Sequence, residues 1–237
     1  MIDSIPISHL LVMLLPLTLV AVVYWKWVGR PAEIGVATGR MVLQLVAVGY
    51  FLLYLFESES PWVGLGVLVF MVVVSSWIAM RSTQRRNWQT YRRVMFSIAV
   101  AGSLNLALVV FFVMRLEPWY QLRAMIPIAG MIFSTGMNVV SLCAERYEAD
   151  MERTGDHELS RREAFRASLI PQVNSFLAVG LVALPGMMTG QILAGVSPLE
   201  AVRYQIMVMC MIMGTAGLGA AVYLWLVRPE GKPSEEI

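Results

Sequence analysis

An all-α, polytopic membrane bundle of about seven transmembrane helices, N-terminus outside and C-terminus in the cytoplasm, is the fold class this sequence predicts. Three observations lead there. The chain is 58% hydrophobic and only 14% charged, against roughly 45–50% apolar and about 25% charged in soluble domains. Seven apolar segments, at about 8–27, 40–57, 61–80, 94–114, 124–144, 172–192 and 205–227, approach the ~20 residues a helix needs to cross ~30 Å of hydrocarbon. Basic residues gather between alternate segments, 15 of them on one side against Arg115, Arg123 and Arg203 on the other. The positive-inside rule reads the first side as cytoplasm.

Taken in order, "MIDSIPISHLLVMLLPLTLVAVVYWKW" reads as a first span, because Lys26 and Arg30 follow the apolar core, whereas a secretory signal carries its charges ahead of it. The second segment holds 16 uninterrupted residues between Arg40 and Glu57, and both ends can snorkel. Arg81, Arg85, Arg86, Arg92 and Arg93 separate the third span from the fourth. After the fifth comes the one substantial cytoplasmic excursion, about 145–171. There Thr154, Gly155 and Asp156 form a breaker cluster, and Ser160 with Glu163 three residues on fits a capping box. This spacing predicts a short helix that ends or bends at Pro171, with Phe165 and Leu169 at i, i+4 among Arg161, Arg162 and Arg166. Such a helix suits anionic headgroups or a cytoplasmic docking partner. Residues 1–228 then make one transmembrane domain, and 229–237 a short, polar, disordered tail.

The sixth span lies in the longest uncharged stretch, Ala167 to Leu199, yet carries "LPGMMTGQ": Pro185, Gly186, Met187, Met188, Thr189, Gly190 and Gln191. Proline removes a backbone donor and glycine lets the chain leave helical geometry. In lipid, carbonyls freed this way are tolerated only when buried in protein or facing water. The segment is therefore a packing kink or the wall of a pathway, with Asn138 and Asn174 as further neutral candidates. Gly186 and Gly190 also form a G-x-x-x-G pattern, and Gly214, Gly217 and Gly219 line the seventh span, patterns that let helices approach closely.

Enzyme classes are disfavoured. Neither Lys26 nor Lys232 follows a phosphate-cradling glycine loop. His9 and His157 fall on opposite sides of the membrane, and no metal-ligating set is assignable. The middle of every span lacks the Asp, Glu or His relays that proton-coupled carriers keep. Cys143 and Cys210 have no paired spacing and read as packing residues. Met207, Met209, Met211 and Met213 spread over two helix faces and read as apolar filler. The arginine clusters follow topology and imply no nucleic acid.

"GRMVLQLVAVGYFLLYLF", "IPIAGMIFSTGMNVVSL" and "REAFRASLIPQVNSFLAVGLVALPGMMTGQILAGVSPLEAVRYQIMVM" resemble the Fet-type permease family of ABC transporters. That family comprises bacterial iron-export permeases and plant aluminium-tolerance permeases. The likeness runs from about Gly39 to Tyr223. It implies a bacterial inner-membrane permease that pairs with a separate cytoplasmic ATP-binding subunit, two copies of each, and exports iron or another metal species. ATP would be held on the partner alone. Ser160, Arg161, Arg162, Glu163, Phe165 and Arg166 become candidates for coupling to that partner, and Gln44, Gly49, Tyr50, Pro127, Gly130, Tyr204 and Gln205 become packing positions of the family's motifs. Two departures stand out. Asn174, Leu177 and Ala178 occupy places where the family usually has an Asp and a Lys-Thr pair, and the cytoplasmic loop is shorter. They keep open an ATPase-independent transporter or channel for a small solute, and, third, a non-transporting membrane scaffold.

Overall fold

A computed structural model describes residues 6–30, 32–58, 60–83 and 87–227. Their secondary structure is helical apart from one isolated bridge, Val179 to Ala183. The tail at 229–237 lies outside the described residues.

The chain forms two compact units, Met1–Glu57 and Ser58–Ile237. In the first, α1 (Ser8–Val28) and α2 (Ala32–Leu55) are both long and apolar enough to cross a membrane. Gly29, at φ 76°, ends α1 by donating its N–H to the Trp25 carbonyl, a left-handed cap that suits glycine. Tyr24 donates its hydroxyl to the Glu33 carboxylate at 2.8 Å, tying the end of α1 to the start of α2. Gln44, Gly49 and Tyr50 are exposed along α2.

In the second unit, α3 (Pro61–Ala79) opens on a proline in its first turn, where the missing N–H is harmless. Next comes α4 (Trp88–Ala107), whose Asn87 cap accepts the Thr90 N–H at 2.7 Å; it continues as a π-helical turn, Leu108–Val113. The central element is α5 (Leu122–Thr154), which packs against α3, α4, α6 (His157–Ala178) and α8 (Pro198–Leu226). Ile98 of α4 and Ile132, Val139 and Val140 of α5 are fully enclosed. Close approach depends on missing side chains. A Cβ on Gly64 would stand 2.7 Å from Leu122, one on Gly102 2.5 Å from Phe133, and one on Gly214 2.7 Å from Asn105.

Six helices among the described residues are long and apolar enough to span, against seven expected; each overlaps an expected segment, and α2, α4 and α8 begin at Ala32, Trp88 and Pro198, ahead of the expected 40, 94 and 205. Three local expectations change. At 33 residues, α5 is about 50 Å long and runs well past the expected end near residue 144, because Glu145 to Arg153 continue the helix as charged turns with one face, Tyr147 and Asp150, buried. Asp156, not Ser160, caps α6: Gly155, at φ 67°, closes α5, and the Asp156 carboxylate takes the Leu159 N–H at 3.1 Å. Asp156→Ala is expected to cost about 1 kcal/mol, read as a Tm lower by a few degrees in detergent. Finally, α6 neither stops nor restarts at Pro171; it continues to Ala178.

The α5–α6 pairing rests on small residues. Ser160, Ala164 and Ser168, spaced by four, have no exposed surface, so the two backbones lie close in the manner of small-xxx-small contacts. At the turn, Tyr147 Oη and His157 Nδ1 stand 2.7 Å apart, and burial pushes the Tyr147 phenol up, offset in part by Arg93. Asp150, almost wholly buried, is flanked by Arg146 at 2.9 Å and Arg153 at 3.2 Å.

Candidate transport site at the helix break

The segment 172–192, expected as one span, is divided. After Ala178 the chain turns: the Leu181, Val182 and Ala183 N–H groups all point to the Ala178 carbonyl, and Gly180, at φ 80°, donates instead to the Ala183 carbonyl. The carbonyls of Phe176 and Leu177 thereby lose the donors that a continuing helix would have supplied. Pro185 then caps a short helix, α7 (Gly186–Leu193), and Gly195, at φ 92°, turns the chain into α8. From Ala167, where the uncharged stretch begins, to Ala178 is 12 residues, or about 18 Å. With Ala167 at the cytoplasmic boundary, that length would reach a little over half of the way into a ~30 Å hydrocarbon core. Irregular backbone at that depth belongs where protein buries it or where it lines a cavity.

A cavity is present there. Its volume is about 350 Å³, between the end of α6, the break and one face of α8, and it is lined by Val179, Gly180, Pro185, Met188 and Gln205 among others. Gln205 is only 6% exposed, and its Oε1 has no hydrogen-bond partner among the described residues. A buried amide oxygen left unpaired costs about 1–3 kcal/mol. The lining is otherwise apolar except for the sulfurs of Met188, Met209 and Cys210.

The expected site residues separate into three groups. Pro185 and Met188 line the cavity. Met187, Thr189 and Gln191 are half-buried on α7 and Gln191 Oε1 is also unpartnered, while Gly186 and Gly190 are exposed, with no atom near where a Cβ would stand. The G-x-x-x-G pattern of α7 therefore makes no close helix contact among the described residues. Asn138 and Asn174 are exposed on α5 and α6 and do not line the cavity. Of the motif positions, Pro127 sits exposed inside α5, a Cβ on Gly130 would stand 3.6 Å from Met71, and Tyr204 is 41% exposed. Sequence reasoning missed Gln205 and Cys210 as cavity residues. Cys210 is exposed, not packed, whereas Cys143 is buried as expected.

At the cytoplasmic end, Arg161, Arg162 and Phe165 are exposed and, with Glu158, Leu224 and Trp225, border a second groove of about 790 Å³. Arg166 is exposed and Glu163 half-buried. Ser160 faces α5 instead, donating its hydroxyl to the Asp156 carbonyl at 2.7 Å, so it is not part of the exposed surface.

The model of the family described as "Uncharacterised protein family (UPF0014)" matches residues 6–159 and 157–230, two stretches that meet at the α5–α6 turn. Among curated proteins, the UPF0014 membrane protein slr1647 of Synechocystis is 34% identical over 224 residues, 86% of each chain. The "Probable iron export permease protein FetB" of Escherichia coli is 32% identical over 206 residues, 80% of this chain and 78% of that one. "Protein ALUMINUM SENSITIVE 3" of Arabidopsis thaliana is 29% identical over 240 residues, 94% of this chain and 85% of that one. No solved structure matches. With apolar helices long enough to span and a family model matched along nearly all its length, this chain is a multi-pass membrane protein and belongs to the UPF0014 family.

Proposed function

We propose that the chain is the permease subunit of an ABC-type exporter, moving iron or another metal species out of the cytoplasm with ATP hydrolysed on a separate subunit. The observation that carries this reading is the likeness to FetB, at 32% identity across 80% of the chain. The geometry supports it in two ways. The break and its cavity give a site within the membrane where cargo can be held. A single helix, α6, joins that site to the exposed Arg161, Arg162, Phe165 and Arg166, so a displacement of its cytoplasmic end by a docked ATPase is carried about 24 Å to the break without an intervening joint. Energy enters from the partner, since this sequence has no P-loop.

Asn138 and Asn174, exposed at membrane depth on a single chain, favour a dimer, because lipid tails offer an amide no partner. One co-purification experiment tests both contacts. Two differently tagged permease copies, expressed with the candidate ATP-binding subunit, are expected in one complex. A variant with Arg161→Ala, Arg162→Ala and Phe165→Ala is expected to retain the second permease copy while losing the ATPase roughly ten-fold or more, given that interface anchors each carry ~1–2 kcal/mol or more. Absence of any nucleotide-binding partner from the parent complex, with transport unaffected by ATP depletion, would leave an ATPase-independent carrier as the better account.

A further inference from the structure

Where α6 packs against α8, the groove of about 790 Å³ opens between Glu158, Leu159, Arg161, Arg162 and Phe165 on one helix and Leu224 and Trp225 on the other. The sequence of α8 sets its depth. Tyr204 to Val227 is uncharged, with Arg203 before it and Arg228 after it, and its length of about 36 Å exceeds a ~30 Å hydrocarbon core. The last turn therefore reaches the headgroups. Trp225 stands on that turn, 76% exposed and three residues before Arg228, where tryptophan marks the boundary between membrane and water. The arginines gathered at this end place the groove in the cytoplasmic leaflet.

Two kinds of surface meet in it. Two guanidinium groups stand against one carboxylate, so the lining carries an excess positive charge. Arg161 lies 3.4 Å from Glu158, with both side chains largely in solvent, a weak pairing at a surface. Arg162 has no ion-pair partner among the described residues. Beside them Leu159, Phe165 and Trp225 leave apolar surface exposed. A soluble anion would meet the charge and leave that surface bare, whereas an acyl chain alone would cover the surface and leave the charge. A lipid with an anionic headgroup does both, and at this depth the bilayer supplies it. Its phosphodiester matches the guanidinium fork. A zwitterionic lipid offers the same phosphodiester but brings an ammonium toward two guanidiniums, while a lipid with a single net negative charge balances the lining.

We propose that this groove binds one monoanionic phospholipid of the cytoplasmic leaflet, its phosphodiester on Arg161 and Arg162 and the start of its acyl chains against Phe165 and Trp225. This stands apart from the transport reading and adds a condition to it: an ATPase that docks on the same arginines displaces the headgroup.

Trp225 serves as the reporter. The full-length permease, without the ATPase, is reconstituted in phosphatidylcholine vesicles, into which phosphatidylglycerol or phosphatidylcholine brominated near the headgroup end of its chains is titrated. The fluorescence difference between the parent and Trp225→Phe isolates the quenching of this one side chain. Phosphatidylglycerol is expected to reach half-quenching at about a tenth of the mole fraction that phosphatidylcholine needs, the preference that two arginines near an anionic headgroup supply. Arg161→Gln with Arg162→Gln is expected to bring the two lipids within about two-fold, with quenching by phosphatidylcholine unchanged. Arg92→Gln with Arg166→Gln removes the same charge from exposed positions that do not line the groove, and is expected to keep the preference. Equal quenching by both lipids in the parent makes Trp225 a position met by bulk lipid and overturns the proposal. Equal loss of preference in the two double variants makes it a property of overall surface charge, with the same consequence. Relief of the quenching by millimolar inorganic phosphate means that the groove takes the free anion, and overturns the lipid as its occupant.

Discussion

Replacing Gly102 with leucine is expected to remove most of the folded chain from the membrane. A Cβ at this position would stand 2.5 Å and 2.9 Å from two carbons of the Phe133 ring and 3.2 Å from Ile132. Neither neighbour has room to give: Phe133 is 3% exposed and Ile132 fully enclosed at the centre of α5. Overpacking a tight core typically costs about 1–3 kcal/mol and sometimes more, and the three further carbons of leucine extend the clash beyond the first atom. Against a total stability of order 5–15 kcal/mol, such a loss lowers the steady-state amount of folded protein several-fold. The recoverable monodisperse protein should fall by roughly five-fold or more. Gly190→Leu is the matched control, since nothing lies within 4 Å of its Cβ, and should leave the amount within about two-fold. If the two variants behave alike, the close approach of α4 to α5 is not what holds this core.

The second large effect concerns activity with abundance preserved. Gly180 holds φ 80°, a conformation that costs a residue bearing a Cβ about 1–2 kcal/mol, and Pro185 withholds the N–H that a continuous helix would give to the Leu181 carbonyl. Gly180→Ala together with Pro185→Ala removes both obstacles to joining α6 and α7, worth about 4 kcal/mol in favour of the unbroken helix. ATP-dependent transport by the double variant should fall roughly ten-fold or more, while the amount of folded protein stays within about two-fold. Gly186→Leu and Gly190→Leu, which add bulk to α7 without touching the core, should lower transport more than abundance. Parallel loss of both quantities would make the break a packing device.

Much of the architecture was legible because it depends on composition and charge. Apolar runs and arginine clusters are one-dimensional signals, and Thr154, Gly155 and Asp156 mark a turn by residue type alone. Less legible were features decided by three-dimensional competition. Ser160 followed by Glu163 has the form of a capping box, but Asp156 directly after Gly155 captures the helix start first, leaving Ser160 to pack against α5. Pro171 and Pro185 look alike in sequence, yet α6 passes through the first and ends before the second. The difference lies in Gly180, whose left-handed backbone lets four successive N–H groups turn back on Ala178 and Ala183. Gln205 and Cys210 give no sequence signal as a pair with the break, because α8 meets it only after the chain has folded back through Gly195 and Ser197. Asn138 and Asn174 gave the opposite impression: their polarity suggested a shared interior site, and both lie on the surface of the single chain.

From Ala167 to Leu199, through the membrane half of α6, the break and α7, there is no formal charge. Moving one elementary charge across the membrane field is worth about 2.3 kcal/mol per 100 mV, and this is how a voltage couples to a moving protein. A rearrangement confined to this segment moves no formal charge, so the resting voltage acts on it only through the partial charges at the helix ends, roughly half a charge each. The break therefore couples to voltage more weakly than a charged gate would, and its rearrangement differs less in energy between a polarised and a depolarised cell.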